Sequence, residues 1–238
     1  TPGPARDEAE LELRMHLITA LICAEGYRAP PVAGETERVV ELGQRLGNRA
    51  MLIGAMQARW VQLASANNVR AANAFAQEVL SMTADAAETE RLIAHRMCAT
   101  SLLFAGDLAQ ALDEYLAFMG LFDPDRHGEA LRGGHSDHAT MVMLGLAETH
   151  LLKGEAAATD AWRARALEAA RVSGRDHDQG HALVFAGCLH PYLLGRHDEV
   201  AAHAAELGAL IAQRSLPNWS PYLDLFGGLL AARGGDVE

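Results

Sequence analysis

The sequence predicts an all-α protein, a solenoid of antiparallel helical hairpins, and three observations lead to this prediction. Half of the 238 residues are hydrophobic but only 5% are aromatic, so Ala and Leu dominate the apolar content, which favours closely packed helices over a sheet. Turns with Gly or Asn before a polar residue recur about every 40 residues, at 26–27, 67–68, 106–107, 154–155, 195–196 and 235–236. A second break between successive turns predicts two helices per repeat.

Each predicted helix is bounded by one of these signals. Helix 5–24 ends at the first turn, and 35–46 follows the Pro-Pro pair at 30–31. Helices 48–66 and 69–83 flank the second turn, 86–105 and 108–121 the third, 136–153 and 156–173 the fourth, and 177–194 and 197–214 the fifth. Helix 217–233 follows a break at 215–217. Within them apolar residues recur at helical spacing, as Leu108, Leu112 and Tyr115 do. These are eleven helices, and the polar segment 123–135 is predicted as a loop that Pro124 begins by ending the preceding helix.

The spacing of small residues around the turns matches the tetratricopeptide (TPR) pattern. Counting from the turn at 106 places Ala99 and Ala111 at the small positions and Tyr115 at the aromatic one. Counting from the turn at 154 places Ala147 and Ala166. Positions 60 and 159 hold Trp and Thr where Ala or Gly is usual, and the period exceeds the ~34 residues of a TPR. The pattern therefore predicts a TPR-like array, coiled as a right-handed superhelix.

Several segments resemble one family. They are LITAL at 17–21, EGYRAP at 25–30, AHR at 94–96, AGDL at 105–108, DPDRH at 123–127 and GHSD at 134–137. In this order they resemble the TPR-like C-terminal region of large bacterial signalling ATPases. In these proteins a nucleotidyl cyclase or winged-helix domain precedes a STAND-type ATPase and then the helical array. Ser136 and His138 depart from the family's second loop element. The resemblance implies a regulatory, partner-sensing module and carries no catalytic residues onto this segment.

Charge and composition narrow the function further. The formal net charge of −11 argues against nucleic-acid binding, which needs a clustered cationic surface. Three well-separated cysteines without a metal-ligand spacing are typical of a reduced, cytoplasmic setting. No apolar run reaches the ~18 residues of a membrane span, so no membrane association is expected. We expect one domain, 1–238, and the first residues, Thr-Pro-Gly, suggest a fragment of a longer multidomain protein.

Catalysis, cofactors and metals are not expected. The phosphate-binding GxxxxGK[ST], the GxSxG elbow and HExxH are missing from the sequence. His177 and His181 share a helix face at a spacing that permits zinc, but Asp176 and Asp178 beside them are better explained as helix-capping residues. The Asp-Pro-Asp segment at 123–125 lacks the other oxygens of a calcium loop.

Two sets of residues are candidates for recognition. In TPR-like arrays the first helix of each pair lines a concave groove, and the spacing places Gln57, Arg96, Thr100, Phe104, Glu148, Phe185 and Tyr192 there. The alternative is that the aromatic members only fill space between helices. The second set lies in the predicted loop and directly after it: Asp123, Arg126, His127, His135 and Asp137. A loop of this length is either functional or mobile.

Three functions remain open. The leading hypothesis is an interaction and regulatory module that binds a protein, a peptide or other domains of its own chain. The alternative is a sensor that holds a small molecule in the concave face, with Arg96, Glu148 and Tyr192 converging on it. The third hypothesis is a metal-dependent hydrolase that acts through the histidines. An open groove would favour the first, an apolar pocket the second and bound metal the third. Helix 217–233 is apolar enough to predict self-association through that end.

Overall fold

The computed structural model describes residues 3–47, 49–132, 136–214 and 216–234. Within these ranges the chain is helical and contains no strand, so the all-α prediction is confirmed. The chain divides into two compact units, Thr1–His138 (unit 1) and Ala139–Glu238 (unit 2). Each unit is described by itself below.

Unit 1 is built from helices that pack in sequence. They are α1 (Pro4–Glu25), α2 (Pro30–Leu46), α3 (Arg49–Ser65), α4 (Val69–Met82), α5 (Glu88–Ala105), α6 (Leu108–Leu121) and α7 (Pro124–Leu131). From α1 to α6 each helix packs against the next, while α3 and α7 also contact α5. Tyr115 and Phe118 on α6 are almost completely buried.

Five of the six predicted turns lie between consecutive helices where the sequence places them, and the sixth, at 235–236, lies outside the described residues. Gly26, Gly106, Gly154 and Gly195 all have positive φ, and such left-handed residues commonly end helices. Asn67 also has a positive φ, 58°, and in the described part of the chain it is the one residue other than glycine that does. Asn tolerates this conformation better than most residues. Asn68 then caps α4 by accepting a hydrogen bond from the Ala71 amide at 3.3 Å.

Proline explains two differences from the prediction. The second helix starts at Pro30 and not at residue 35, and the segment predicted as a loop contains α7, which starts at Pro124. A proline in the first helical turn loses no hydrogen bond, because that amide has no partner within the helix. Asp123 caps α7 by accepting from the amides of Asp125 and Arg126 at 2.9 and 3.3 Å. Both Asp-Pro and Ala-Pro-Pro therefore begin helices here.

Unit 2 follows the prediction except at one irregular helix. Its helices are α8 (His138–Leu152, whose first residue ends unit 1), α9 (Ala156–Ser173), α10 (Asp176–Ala182), a π-helix (Leu183–Leu189), α11 (His190–Leu193), α12 (His197–Arg214), a 3₁₀ turn (Pro217–Trp219) and α13 (Ser220–Gly234). One cluster of buried residues includes Cys188, Leu207, Trp219 and Phe226. A second joins α8, α9 and α10.

Trp219 lies against a glycine. A Cβ added to Gly180 would stand 2.4 Å from Trp219 Nε1 and 2.7 Å from its Cε2. The indole also contacts His177 and His181, with ring centroids 5.3 and 5.4 Å away. Glycine at 180 is therefore what lets the 3₁₀ turn pack directly onto α10.

The π-helix accommodates a proline inside a continuous helical segment. His190 donates its amide to the Phe185 carbonyl, five residues back. In this register the Ala186 carbonyl would pair with the amide of residue 191, but Pro191 has none. Arg163 on α9 supplies the donor instead, with its Nε 2.7 Å from the Ala186 oxygen. Arg163 is only 5% exposed and also contacts Asp160 and Glu199, each at 3.0 Å.

Replacing Arg163 by Met should therefore destabilise the protein by about 2 kcal/mol, because a buried carbonyl loses its donor. Pro191→Ala restores a backbone amide that can take over. We expect Arg163→Met to cost less in the Pro191→Ala background than in the wild type, as measured by urea unfolding. Equal costs in both backgrounds would show that the Ala186 hydrogen bond does not matter and that the lost ion pairs do.

Candidate functional site

Unit 1 contains a cavity of about 430 Å³ between α1, α3 and α5, here called the α1–α3–α5 pocket. Val32 of α2, Ala130 of α7 and His138 complete its wall. The full lining is Met15, Ile18, Ile22, Val32, Gly54, Gln57, Ala58, Val61, Ala87, Thr89, Glu90, Ile93, Ala130 and His138. Most of these residues are apolar.

The apolar wall follows from helical periodicity. On α1, Met15, Ile18 and Ile22 are three and four residues apart, so they share a face. Ile18 and Ile22 are 5% and 2% exposed, which shows that this face is covered by its neighbours. On α3, Gly54 lies in the same row as Val61 and lines the cavity. A Cβ added at Gly54 would meet no atom within 4 Å, so the missing side chain leaves this part of the cavity open.

A polar network borders the pocket and contains two residues that the sequence placed in a groove. The side chains of Gln57 and His138 are hydrogen-bonded, with 3.1 Å between their Nε2 atoms. Nδ1 of His138 lies 3.5 Å from an Arg96 guanidinium nitrogen. That guanidinium lies over the Trp60 ring, 5.6 Å from its centroid, and Trp60 donates to Ser101 Oγ at 2.7 Å. Gln57 and Arg96 thus both contact His138. These contacts hold the imidazole in place where it lines the pocket.

Glu90 is the charged residue of the described lining. Its side chain is 12% exposed, and Arg49 Nε lies 3.5 Å from its Oε2. Oε2 is buried and accepts no hydrogen bond from the described part of the chain, so the guanidinium compensates the carboxylate's charge at a distance without a hydrogen bond. Arg49 is half-exposed and hydrogen-bonds to the Met82 carbonyl. The carboxylate therefore has hydrogen-bonding capacity left over.

The residues of the predicted loop hold α7 in place. His127 is 4% exposed; its Nδ1 accepts from the Asp123 amide at 3.0 Å, and its Nε2 lies 3.0 Å from Glu88 Oε2. Arg126 pairs with the same Glu88 carboxylate on α5. Asp137 is buried, and His135 lies outside the described residues. These side chains tie the start of α7 to α5, and Ala130 near its end borders the pocket.

The other groove candidates of unit 1 lie apart from this cavity lining. Thr100 is 3.1 Å from the hydroxyl of Tyr115, so both are engaged in packing α5 on α6. Phe104, near the end of α5, is 53% exposed.

Phe185 and Tyr192, two of the three groove candidates of unit 2, pack within that unit. Phe185 lies in the π-helix, contacts both buried clusters and stacks on His181 with ring centroids 4.9 Å apart. Tyr192 packs against the first cluster and meets His197 edge to face. Burial raises the pKa of Glu148 on α8. Arg96 belongs to unit 1, whereas Glu148 and Tyr192 belong to unit 2.

Metal-binding and thiol chemistry find little support in the side chains. No group of three or more His, Cys, Asp or Glu residues within the described ranges is arranged to hold a metal ion. The rings of His177 and His181 meet edge to face and pack on Trp219. Burial raises the pKa of both Cys98 and Cys188 to about 12, which keeps these thiols protonated and poorly nucleophilic.

Sequence reasoning missed most of the pocket. Ile18, Ile22, Gly54 and Glu90 were not candidates, and His138 was noted only as a departure from the family pattern. Gly54 did carry a signal, because an isolated glycine inside a helical pattern usually has a packing or functional reason.

Neither a family model, nor a curated protein, nor a solved structure matched this chain. Of the described helices, none is both long and apolar enough to cross a membrane.

Proposed function

We propose that the chain is a regulatory sensor module with a TPR-like arrangement, and that its α1–α3–α5 pocket binds a small effector molecule. The observation that carries this proposal is the pocket itself. Its walls come from α1, α3 and α5, the first helices of three successive pairs, which in TPR-like arrays form the concave recognition side. A single array running through both units, with a right-handed superhelix, belongs to the same proposal.

The dimensions and chemistry of the pocket suit a small molecule. Ligand sites commonly measure about 300–1,000 Å³ and have apolar walls with a few polar groups that orient the ligand. The α1–α3–α5 pocket has about 430 Å³ of space and four polar residues, Gln57, Thr89, Glu90 and His138. Effector binding would serve a switch of the kind implied by the resemblance to bacterial signalling ATPases, in a cytoplasmic parent protein.

A second candidate is the binding of a protein or peptide, including other domains of the same chain. Phe104 favours it, because a large aromatic side chain that is 53% exposed can anchor a partner. In this case an apolar side chain of the partner would occupy the pocket.

Filling the pocket tests the proposal. Gly54→Leu places a side chain in open space and should raise helix stability by about 0.5–1 kcal/mol. We expect it to weaken binding of the neutral fluorescent probe N-phenyl-1-naphthylamine by at least about tenfold, measured by titration, without lowering the melting temperature.

Gly120→Leu is the matched control. Gly120 is an exposed residue of α6 with no atom within 4 Å of an added Cβ, and it does not line the pocket. This variant should bind the probe as the wild type does. If the folded Gly54→Leu protein binds the probe with unchanged affinity, the pocket is not the binding site.

A further inference from the structure

We infer that the α1–α3–α5 pocket takes a cationic amphiphile, an apolar body that carries one ammonium group. This inference rests on the proposed function and adds the chemical class of the ligand. It is argued from the charges of the lining, the state of the Glu90 carboxylate and the neutral acceptors nearby.

The lining selects against anions. Among its fourteen described residues Glu90 is the single acidic side chain, and there is no Lys or Arg. A carboxylate or phosphate ligand would lose its hydration in an apolar cavity and find no Lys or Arg among the described wall residues, while Glu90 would repel it. Arg49, which pairs with Glu90, is not part of the lining and is about half-exposed.

Glu90 also offers more than charge. Its side chain lines the cavity and is 12% exposed, and a carboxylate has acceptor capacity for several donors. An N–H⁺ donor forms the strongest hydrogen bond with such a group. A ligand ammonium would therefore pair with the Glu90 carboxylate from the cavity, while Arg49, 3.5 Å from Oε2, pairs with it from outside the lining.

Neutral acceptors on the same walls suit the remaining N–H groups. Gln57 and Thr89 line the cavity and carry an amide oxygen and a hydroxyl. The body of the ligand would lie against Met15, Ile18 and Ile22 on α1. The ligand that complements this pocket therefore has one charged end and an otherwise apolar surface.

Three probes with one octyl chain and different head groups test the inference: octylammonium, 1-octanol and octanoate. Their affinities are measured at pH 7, where the amine is protonated and the acid ionised, by displacement of N-phenyl-1-naphthylamine. We expect octylammonium to bind at least about tenfold more tightly than 1-octanol, and octanoate to bind most weakly.

Glu90→Gln removes the charge and keeps the shape. It should abolish the preference for octylammonium while leaving the affinity for 1-octanol within about twofold. Glu78→Gln is the matched control, because Glu78 is exposed on α4 and does not line the pocket. This variant carries the same change in net charge and should keep the wild-type preference.

The outcomes separate the two proposals. If 1-octanol and octanoate bind as tightly as octylammonium, and Gly54→Leu weakens all three, the pocket binds ligands but the inferred class is wrong. If Glu78→Gln lowers octylammonium affinity as much as Glu90→Gln does, the preference comes from overall charge and the inference also fails. If no probe binds, the proposed function fails with it.

Discussion

Acidification from pH 6.5 to pH 4 should lower the free energy of unfolding by about 3 kcal/mol through His190 alone. Burial lowers the pKa of His190 to about 4, because the charged imidazolium is poorly solvated there, and the positive charge of Arg163 adds to the effect. The side chain is 1% exposed, and neither ring nitrogen has a hydrogen-bond partner among the residues that the structure describes. No hydrogen bond from these residues offsets the cost of charging the imidazole.

The direction of the stability change follows from the number of protons that the folded and unfolded chains bind. Between the ordinary pKa of 6.5 and the native value of about 4, the unfolded chain binds a proton at residue 190 and the folded chain does not. Stability is therefore complete above pH 6.5 and is lost as the pH falls through this window. His177, whose pKa is also lowered to about 4 by burial and then by Arg175, adds a loss in the same window. Asp160 titrates below its usual range because Arg196 lowers its pKa.

Urea unfolding at a series of pH values checks this result. His190→Leu should make stability less dependent on pH between 6.5 and 4. It should leave stability at pH 7 unchanged or higher, because it removes a buried ring whose nitrogens make no hydrogen bond to a described residue. A His190→Leu protein that keeps the full acid sensitivity of the wild type would contradict the assignment to His190.

Gly180→Ala should destabilise the protein by about 3 kcal/mol, at the upper end of the cost of overpacking. The new Cβ would stand 2.4 Å from Trp219 Nε1, and the indole is a rigid ring held between His177, His181 and Tyr222. The 3₁₀ turn or α10 must therefore move. Thermal and urea unfolding measure the loss.

A second substitution tests the cause. Trp219→Leu removes the ring, so adding Gly180→Ala to that variant should cost much less than in the wild type, which gives a double-mutant coupling energy of about 2 kcal/mol. Gly120→Ala is the control, because an added Cβ there meets no atom, and it should not destabilise. Additive costs for Gly180→Ala and Trp219→Leu would mean that the loss at position 180 does not come from contact with the indole.

Local signals predicted most of the helical pattern. Turns at Gly26, Asn67 and Gly106 were found because the required left-handed conformation favours Gly and Asn. The two errors, at Pro30 and Pro124, share a cause: proline ends a helix from inside and begins one from the first turn. Whether a given proline ends or begins a helix depends on the contacts that the following residues make. For α7 these are the pairing of His127 and Arg126 with Glu88, 39 and 38 residues away.

The pocket was only partly predictable. Counting from the turns identified Gln57 and Arg96 as candidates for recognition, and both contact His138. Glu90 and Ile22 were missed because their role depends on how three helices approach each other, which no spacing within one helix defines. Pro191, inside predicted helix 177–194, was a sequence signal for the π-helix. The residue that compensates the missing proline amide is Arg163, which lies 28 positions earlier in the sequence.

The part of the pocket wall that α7 forms is distinct from the buried core that stabilises unit 1. The buried residues Tyr115 and Phe118 lie on α6, whereas Ala130 is an exposed residue of an eight-residue helix that also borders the pocket. Surface substitutions of this kind usually change stability by less than about 0.5 kcal/mol. In the proposed sensor, larger or smaller side chains at this wall would therefore alter the size of molecule admitted while the core stays the same. Its ligand range would then diverge through one short helix, without any change in α1 to α6.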